Sequence, residues 1–199
     1  MSDKTPGELL PEFYKENNLG MEGGNKSASV RIEIAKNFVL YFPNFAARKK
    51  AVLKHDIHHL VTGYPSTFTG ETEISAWEIA SGCKKYWAAW VLDMSGMMMG
   101  IAFNFLGVLK AFARGRRTKN LYHDFISDKQ VLNMELAELK KVLWLDKYPK
   151  NIKPSFIDLI LFVILILVGT IYSVLSLVLL PFIIVYTIYI SYCMPLRSF

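Results

Sequence analysis

Apolar positions along this chain fall into a helical rhythm that ends in an almost unbroken greasy tail. From Ala47 to Leu60 they recur at Ala47, Ala51, Val52, Ile57 and Leu60, which predicts a helix. Thr62-Gly63-Tyr64-Pro65 stops it, since glycine supplies a left-handed cap and the proline cannot continue the helix. Thr69-Gly70 then opens a second helix, with Thr69 as cap and Glu71 and Glu73 in a first turn whose dipole favours acids. Tyr86 to Ala113 is rich in aromatic residues and methionine and predicts two helices split near Ser95-Gly96. Ser127 to Leu145 reads as one amphipathic helix with Leu132, Leu136, Leu139 and Leu143 inside and Glu135 and Glu138 facing solvent.

From Ile157 to Cys193 the only charge is Asp158, and the stretch is 37 residues long (193 − 157 + 1). A membrane span needs about 20 apolar residues, so this is too long for one ordinary span and slightly short for two. Gly169-Thr170, Ser173, Ser176 and Pro181 offer break points. Nearly every helical face is apolar, which argues against a buried soluble helix pair. Lys147, Lys150 and Lys153 precede the stretch and Arg197 follows it, so both flanks are basic, which suits a cytoplasmic position for the rest of the chain. The pattern thus predicts an all-α helical domain with a C-terminal transmembrane helix or hairpin. Its boundaries fall at an N-terminal segment, 1–30, with a glycine-rich polar loop from Gly20 to Ser29; a helical domain, 31–154; and a membrane-inserted region, 155–199.

Composition changes this picture little. The 199 residues allow one domain and an appendage. The two cysteines, Cys83 and Cys193, lie far apart and suggest no disulfide framework. Met1 to Phe13 has neither a basic n-region nor an apolar h-region, so no signal peptide is predicted there. The net charge is +6, and Lys110 to Lys119 forms a basic cluster without an acid. Beside a membrane segment such a cluster suits anionic lipid headgroups, at about 1 kcal/mol per nearby basic residue. Nucleic acid is not an expected partner, because the aromatic residues are not interleaved with the basic ones.

The chemistry concentrates in His55-Asp56-Ile57-His58-His59 and in Glu71, which follows after eleven residues. Imidazoles and carboxylates are normal ligands for divalent metals. At about 100° per residue, with His55 at zero, His59 lies near 40° and Asp56 near 100°, on one arc, whereas His58 lies near −60° and stays outside the predicted ligand set. The turn at Gly63 brings Glu71 back from the next helix. His55, Asp56, His59 and Glu71 are therefore the candidate ligands of a single metal site that staples two antiparallel helices.

The pattern His-Asp, two residues, His, eleven residues, Glu resembles the signature of the Coq-four family of ubiquinone-biosynthesis proteins. Leu60-Val61-Thr62-Gly63-Tyr64 and the helix after Glu71 are similar to that family's text as well; the close similarity covers about residues 50–85. The resemblance implies a role in ubiquinone or related prenyl-quinone synthesis, with C1 decarboxylation and hydroxylation of a polyprenylated hydroxybenzoate. It also implies a divalent metal on His55, His59 and Glu71, with Asp56 as fourth ligand or catalytic base. Zinc is the first expectation, and iron and manganese suit the same nitrogen and oxygen donors. The expected partners are a prenylated quinone precursor or other isoprenoid lipid, the membrane, and other quinone-biosynthesis proteins. The tail departs from the family, whose members are peripheral.

Three other readings compete. The metal can be structural in a non-catalytic lipid-binding scaffold. A zinc-dependent hydrolase is disfavoured, because Asp56 stands where the protease helix has glutamate and is one methylene shorter. The histidines can be purely structural. Between site and tail, Met94, Met97, Met98 and Met99 suit a packed core or a channel for an isoprenoid chain, and a membrane span through this region is a third reading, weakened by Asp93 and the central glycine.

Overall fold

Residues 4–19, 29–35 and 38–193 are described by the structure, a computed structural model. Of the loop expected from Gly20 to Ser29, residues 20–28 lie outside the described residues, as does Arg197, and Ser29 belongs to a strand. The chain is dominated by helices: α1 Pro6–Glu16, α2 Ala46–Thr62, α3 Phe68–Ser81, α4 Trp87–Phe103, α5 Phe105–Gly115, α6 Asp128–Asn133, α7 Leu136–Val142, α8 Phe156–Leu177 and α9 Leu180–Cys193. A short antiparallel hairpin, β1 Ser29–Ala35 and β2 Phe38–Pro43, adds to this helical class. Its sequence alternates β-branched and polar residues at Val30, Arg31, Ile32, Glu33 and Ile34, the period of a strand.

The core is built on α3, flanked by α4 and α5. Ile74, Ala76 and Trp77 of α3 are wholly buried, and the Trp77 indole N–H donates to Thr118 Oγ1 at 2.8 Å. α2 ends where the sequence predicts: Gly63 is left-handed (φ 74°), and its N–H bonds to the His59 carbonyl at 2.9 Å. α3 starts slightly earlier than predicted. Thr67, not Thr69, is its cap, because Thr67 Oγ1 accepts the Gly70 N–H at 3.3 Å.

Gly96 does not split a helix. α4 continues to Phe103, and the break falls at Asn104 (φ −145°, ψ 47°). A Cβ on Gly96 would collide with Ser75 Oγ, and one on Gly100 would meet Val108 Cγ2 at 2.6 Å and collide with Thr72 Cβ. The two glycines let α4 approach α3 closely, and this close approach is their role. Gly100→Val is accordingly expected to destabilise the domain by about 1–3 kcal/mol through overpacking. A thermal melt reads this, and an unchanged midpoint would mean that α3 and α4 separate freely.

The helix expected over Ser127 to Leu145 is interrupted. Met134 and Glu135 are extended (ψ 140° and 139°), and the Leu136 N–H donates to the Lys4 carbonyl at 3.1 Å. The N-terminal segment claims the hydrogen bond that a continuous helix would use. Its α1 lies against α2 and α6, with Leu10 in the core.

Part of the basic cluster is engaged within the protein. Arg114 is buried and donates to the carbonyls of Tyr148 (2.8 Å) and Thr62 (3.0 Å). Arg116 and Arg117 both pair with Asp158 of α8, Arg117 at 2.7 Å. A buried carboxylate without such partners would be costly, so these charges fasten the tail to the domain.

Among the described residues, α8 alone is long and apolar enough to cross a membrane. It runs through every expected break point up to Ser176, and the hydroxyls of Thr170, Ser173 and Ser176 are satisfied within the helix, each donating to the carbonyl four residues back at 2.8 Å. The break comes at Val178-Leu179. The 14 residues of α9 rise about 21 Å, short of the roughly 30 Å hydrocarbon core. α9 sits chiefly against β2, where Thr187 Oγ1 accepts the Tyr41 N–H at 3.1 Å. Of the two expected forms, a single span in α8 is the one the described helices fit.

Candidate metal centre

Three of the four expected ligands converge. His55 and His59 sit one turn apart on α2, and Glu71 reaches them from the first turn of α3. The His55 and His59 Nε2 atoms are 3.2 Å apart. Glu71 Oε2 lies 3.3 Å from His55 Nε2, and its Oε1 lies 3.3 Å from His59 Nε2. Ser66 Oγ donates to Glu71 Oε1 at 2.9 Å and holds that carboxylate in place.

The outer ring nitrogens fix the tautomers. His59 Nδ1 lies 2.8 Å from the Tyr64 carbonyl, which can only accept, so Nδ1 carries the proton and Nε2 is bare. His55 Nδ1 lies 3.1 Å from Glu78 Oε2, and the same logic bares its Nε2. With both rings neutral, two lone pairs and a carboxylate therefore face one point. A proton on His55 Nε2, donated to Glu71, or a metal cation in its place stabilises such a set. The charges act the same way. Burial opposes protonation of His55, yet the negative charges of Glu78 and Glu71 outweigh it and raise its pKa well above the ordinary histidine range. Burial works against ionised Glu71, but both histidines hold its carboxyl far below the usual carboxylate range.

The spacing also suits a metal. With metal–ligand bonds of about 2.0–2.1 Å, the donor–donor edges of a tetrahedron are about 3.3–3.4 Å. The 3.2 Å edge between the two histidines comes close to that figure, and the Glu71 carboxylate straddles the pair, with one oxygen 3.3 Å from each ring. The His59 side chain is buried, whereas Glu71 is 41% exposed, so the cluster opens on the Glu71 side. The Phe13 ring stacks on His59 at 5.6 Å and covers its outer face.

Asp56 does not join this cluster of mutually close donors. Its position on α2, about a quarter-turn beyond His55, turns it toward α1, where Tyr14 hydrogen-bonds to its carboxylate. Oδ2 of this buried carboxylate has no hydrogen-bond partner among the described residues. Burial first raises its pKa, and His55, Tyr14, His59 and Arg48 only partly offset that effect.

Two residues outside the predicted set support the cluster. His58 is fully buried, about 60° round α2 from His55, and its Nε2 accepts the Leu121 N–H at 2.9 Å. Its Nδ1 proton therefore goes to Glu78 Oε1. Glu78 thus receives an N–H from both His55 and His58. Asp93 also bonds to it, with a carboxyl raised by burial and by the Glu78 charge beside it, and so kept protonated as a donor. Burial opposes ionised Glu78 too, but His55 and His58 keep it ionised. A ligating histidine whose second nitrogen donates to a carboxylate is the arrangement that orients metal ligands. His55, Glu78 and Asp93 form a second close donor group, which shares His55 with the first. The signal for Glu78 was present in the sequence, since it stands seven residues after Glu71 and so on nearly the same face of α3.

The methionines are mostly engaged in packing. Met97 is wholly buried, and Met94 and Met98 lie against Gly169 of α8.

No protein-family model, curated protein or solved structure matches the chain.

Proposed function

We propose that this chain is a metal-dependent enzyme of prenyl-quinone synthesis, working at a membrane with its helical domain on the cytoplasmic side. The reaction is C1 decarboxylation, with hydroxylation, of a polyprenylated hydroxybenzoate. The observation that carries this reading is the convergence of two imidazole Nε2 atoms, from His55 and His59, with the Glu71 carboxylate, in residues that also carry the Coq-four pattern. Three protein donors leave a fourth position for water or substrate, as catalytic sites do, whereas structural sites use four.

His55, His59 and Glu71 would hold the metal, which supplies a positive centre for a carboxylate and for charge that develops as carbon dioxide leaves. Glu78 and the Tyr64 carbonyl keep both histidines in the ligating tautomer. Asp56 is the base. Its desolvation raises its proton affinity toward the working range of a general base, and Tyr14 fixes its orientation. Hydroxylation draws on an external oxidant such as dioxygen. α8 enters the bilayer in which the prenyl tail of the substrate resides.

The test is release of carbon dioxide from a carboxyl-labelled prenylated hydroxybenzoate, in air, by purified full-length protein in vesicles. Release that stops on chelation and returns with metal is expected. Metal-loaded protein that releases none would place the metal in a structural role, within a lipid-binding scaffold of a quinone-synthesis complex.

A further inference from the structure

A membrane helix can hold its domain like a stalk or run along it, and α8 does the second. The positions it turns to the domain are Asp158, Phe162, Leu165, Gly169 and Tyr172, alternating four and three residues apart in the seam spacing of packed helices. Asp158 meets Arg116 and Arg117 just beyond α5. The Phe162 ring lies 5.8 Å from that of Phe105 and 5.2 Å from that of Phe112. Gly169 lets Met98 of α4 approach, since a Cβ there would stand 3.0 Å from Met98 Cγ. The Tyr172 hydroxyl lies 2.9 Å from both Ser95 Oγ and the Val91 carbonyl. From Asp158 to Tyr172 the helix rises about 21 Å, most of the roughly 30 Å of a hydrocarbon core.

Whatever shares that length of α8 shares its surroundings. α4 is suited to them. From Tyr86 to Leu109 the only charged side chain is Asp93, which is buried toward Glu78. The outward stripe of α4 is Leu92, Met99 and Phe103, at helical spacing and exposed, Phe103 by 77%. Phe68 continues this surface, its ring 5.8 Å from that of Phe103, and stands one turn before Glu71 on α3. The polar groups between α4 and α8 satisfy one another through Tyr172, so neither helix presents an unpaired hydroxyl at the seam. Trp87 and Trp90 stand beside Lys84 and Lys85 at one end of α4, the aromatic and basic pairing of a membrane boundary.

We propose that lipid hydrocarbon covers the outer stripe of α4 as well as α8, so that the domain is immersed on its α4 side. This rests on the reading that α8 enters the bilayer. The metal cluster, held on α2 and α3 with Glu71 behind Gly96 of α4, would then lie close to the hydrocarbon, within reach of a ring whose prenyl tail stays in the membrane.

Spin-label accessibility separates the two readings. Full-length protein carrying Cys193→Ser, with the buried Cys83 left in place, is reconstituted in phosphatidylcholine vesicles. Single labels are placed at Met99→Cys on α4, Leu167→Cys on α8 and the exposed Lys129→Cys on α6. Oxygen, which partitions into hydrocarbon, competes with a water-soluble nickel chelate. The expected ratio of oxygen to chelate collisions is above one at Met99→Cys and Leu167→Cys and below one at Lys129→Cys. A ratio below one at Met99→Cys alone would overturn the proposal and leave α8 in the bilayer. A ratio below one at both positions would remove the bilayer reading as well. A Met99→Cys label shielded from both reagents would mean that protein, such as a second copy of the chain, covers the stripe, and that too would overturn it. Phe103→Cys repeats the α4 arm if Met99→Cys does not fold.

Discussion

Purified His55→Ala protein is expected to hold no stoichiometric divalent metal under conditions in which the wild-type protein holds one ion per chain. The substitution removes one of three donors and also the imidazole that links Glu78 to the cluster. Elemental analysis after dialysis reads the result, and equal metal in both proteins would remove the site. The supporting residues should give graded losses. Glu78→Gln keeps an oxygen to accept from one histidine but places an amide donor where a second N–H or the Asp93 carboxyl points. Its metal affinity is expected to fall about 10–100-fold, the usual cost of losing such a partner. Ser66→Ala, at a less buried position, should cost less and serves as the variant whose folding is not in question. Affinity should also fall with acid: Glu78 and Glu71 raise the proton affinity of His55, so a proton competes with the metal as pH drops into that raised range.

Asp56→Asn is expected to keep the fold and the metal and to lose about 10²–10⁴-fold in turnover, the typical contribution of a general base. The amide is nearly isosteric and can still meet the Tyr14 hydroxyl. Because Asp56 lies outside the donor cluster, its removal takes away no ligand. Asparagine cannot accept a proton at the working pH. Rate and metal content are measured together, with expression at matched levels in a quinone-deficient strain as the cellular readout. Full activity of Asp56→Asn with metal retained would take Asp56 out of the chemistry. Loss of metal along with activity would make it a ligand instead.

The arc of His55 and His59 and the return of Glu71 were legible because both rest on local rules: about 100° per residue along α2 and a Gly63 stop that permits one kind of turn. A helix long and apolar enough to cross a membrane was legible from length and composition, but the choice between one helix and a hairpin was not. What escaped depends on contacts distant in sequence. His58 looked peripheral until Glu78 and the Leu121 N–H, 20 and 63 residues away, gave it partners. Gly96 reads as a breaker by propensity, yet tertiary contact with Ser75 makes it a point of close approach inside α4. The break at Met134-Glu135 has no local signal, because its cause is the Lys4 carbonyl. The arginines of the basic cluster found an acid 41 and 42 residues away. The hairpin is the opposite case: the alternation from Val30 to Ile34 was in plain view, and helical expectations on either side obscured it.

Metal-edge X-ray absorption on the full-length wild-type protein addresses the cluster directly. Two imidazole nitrogens at about 2.0–2.1 Å and carboxylate or water oxygen in the remaining positions are expected, with no sulfur. Sulfur scattering near 2.3 Å, or a bound metal without imidazole, would contradict a centre built on His55, His59 and Glu71.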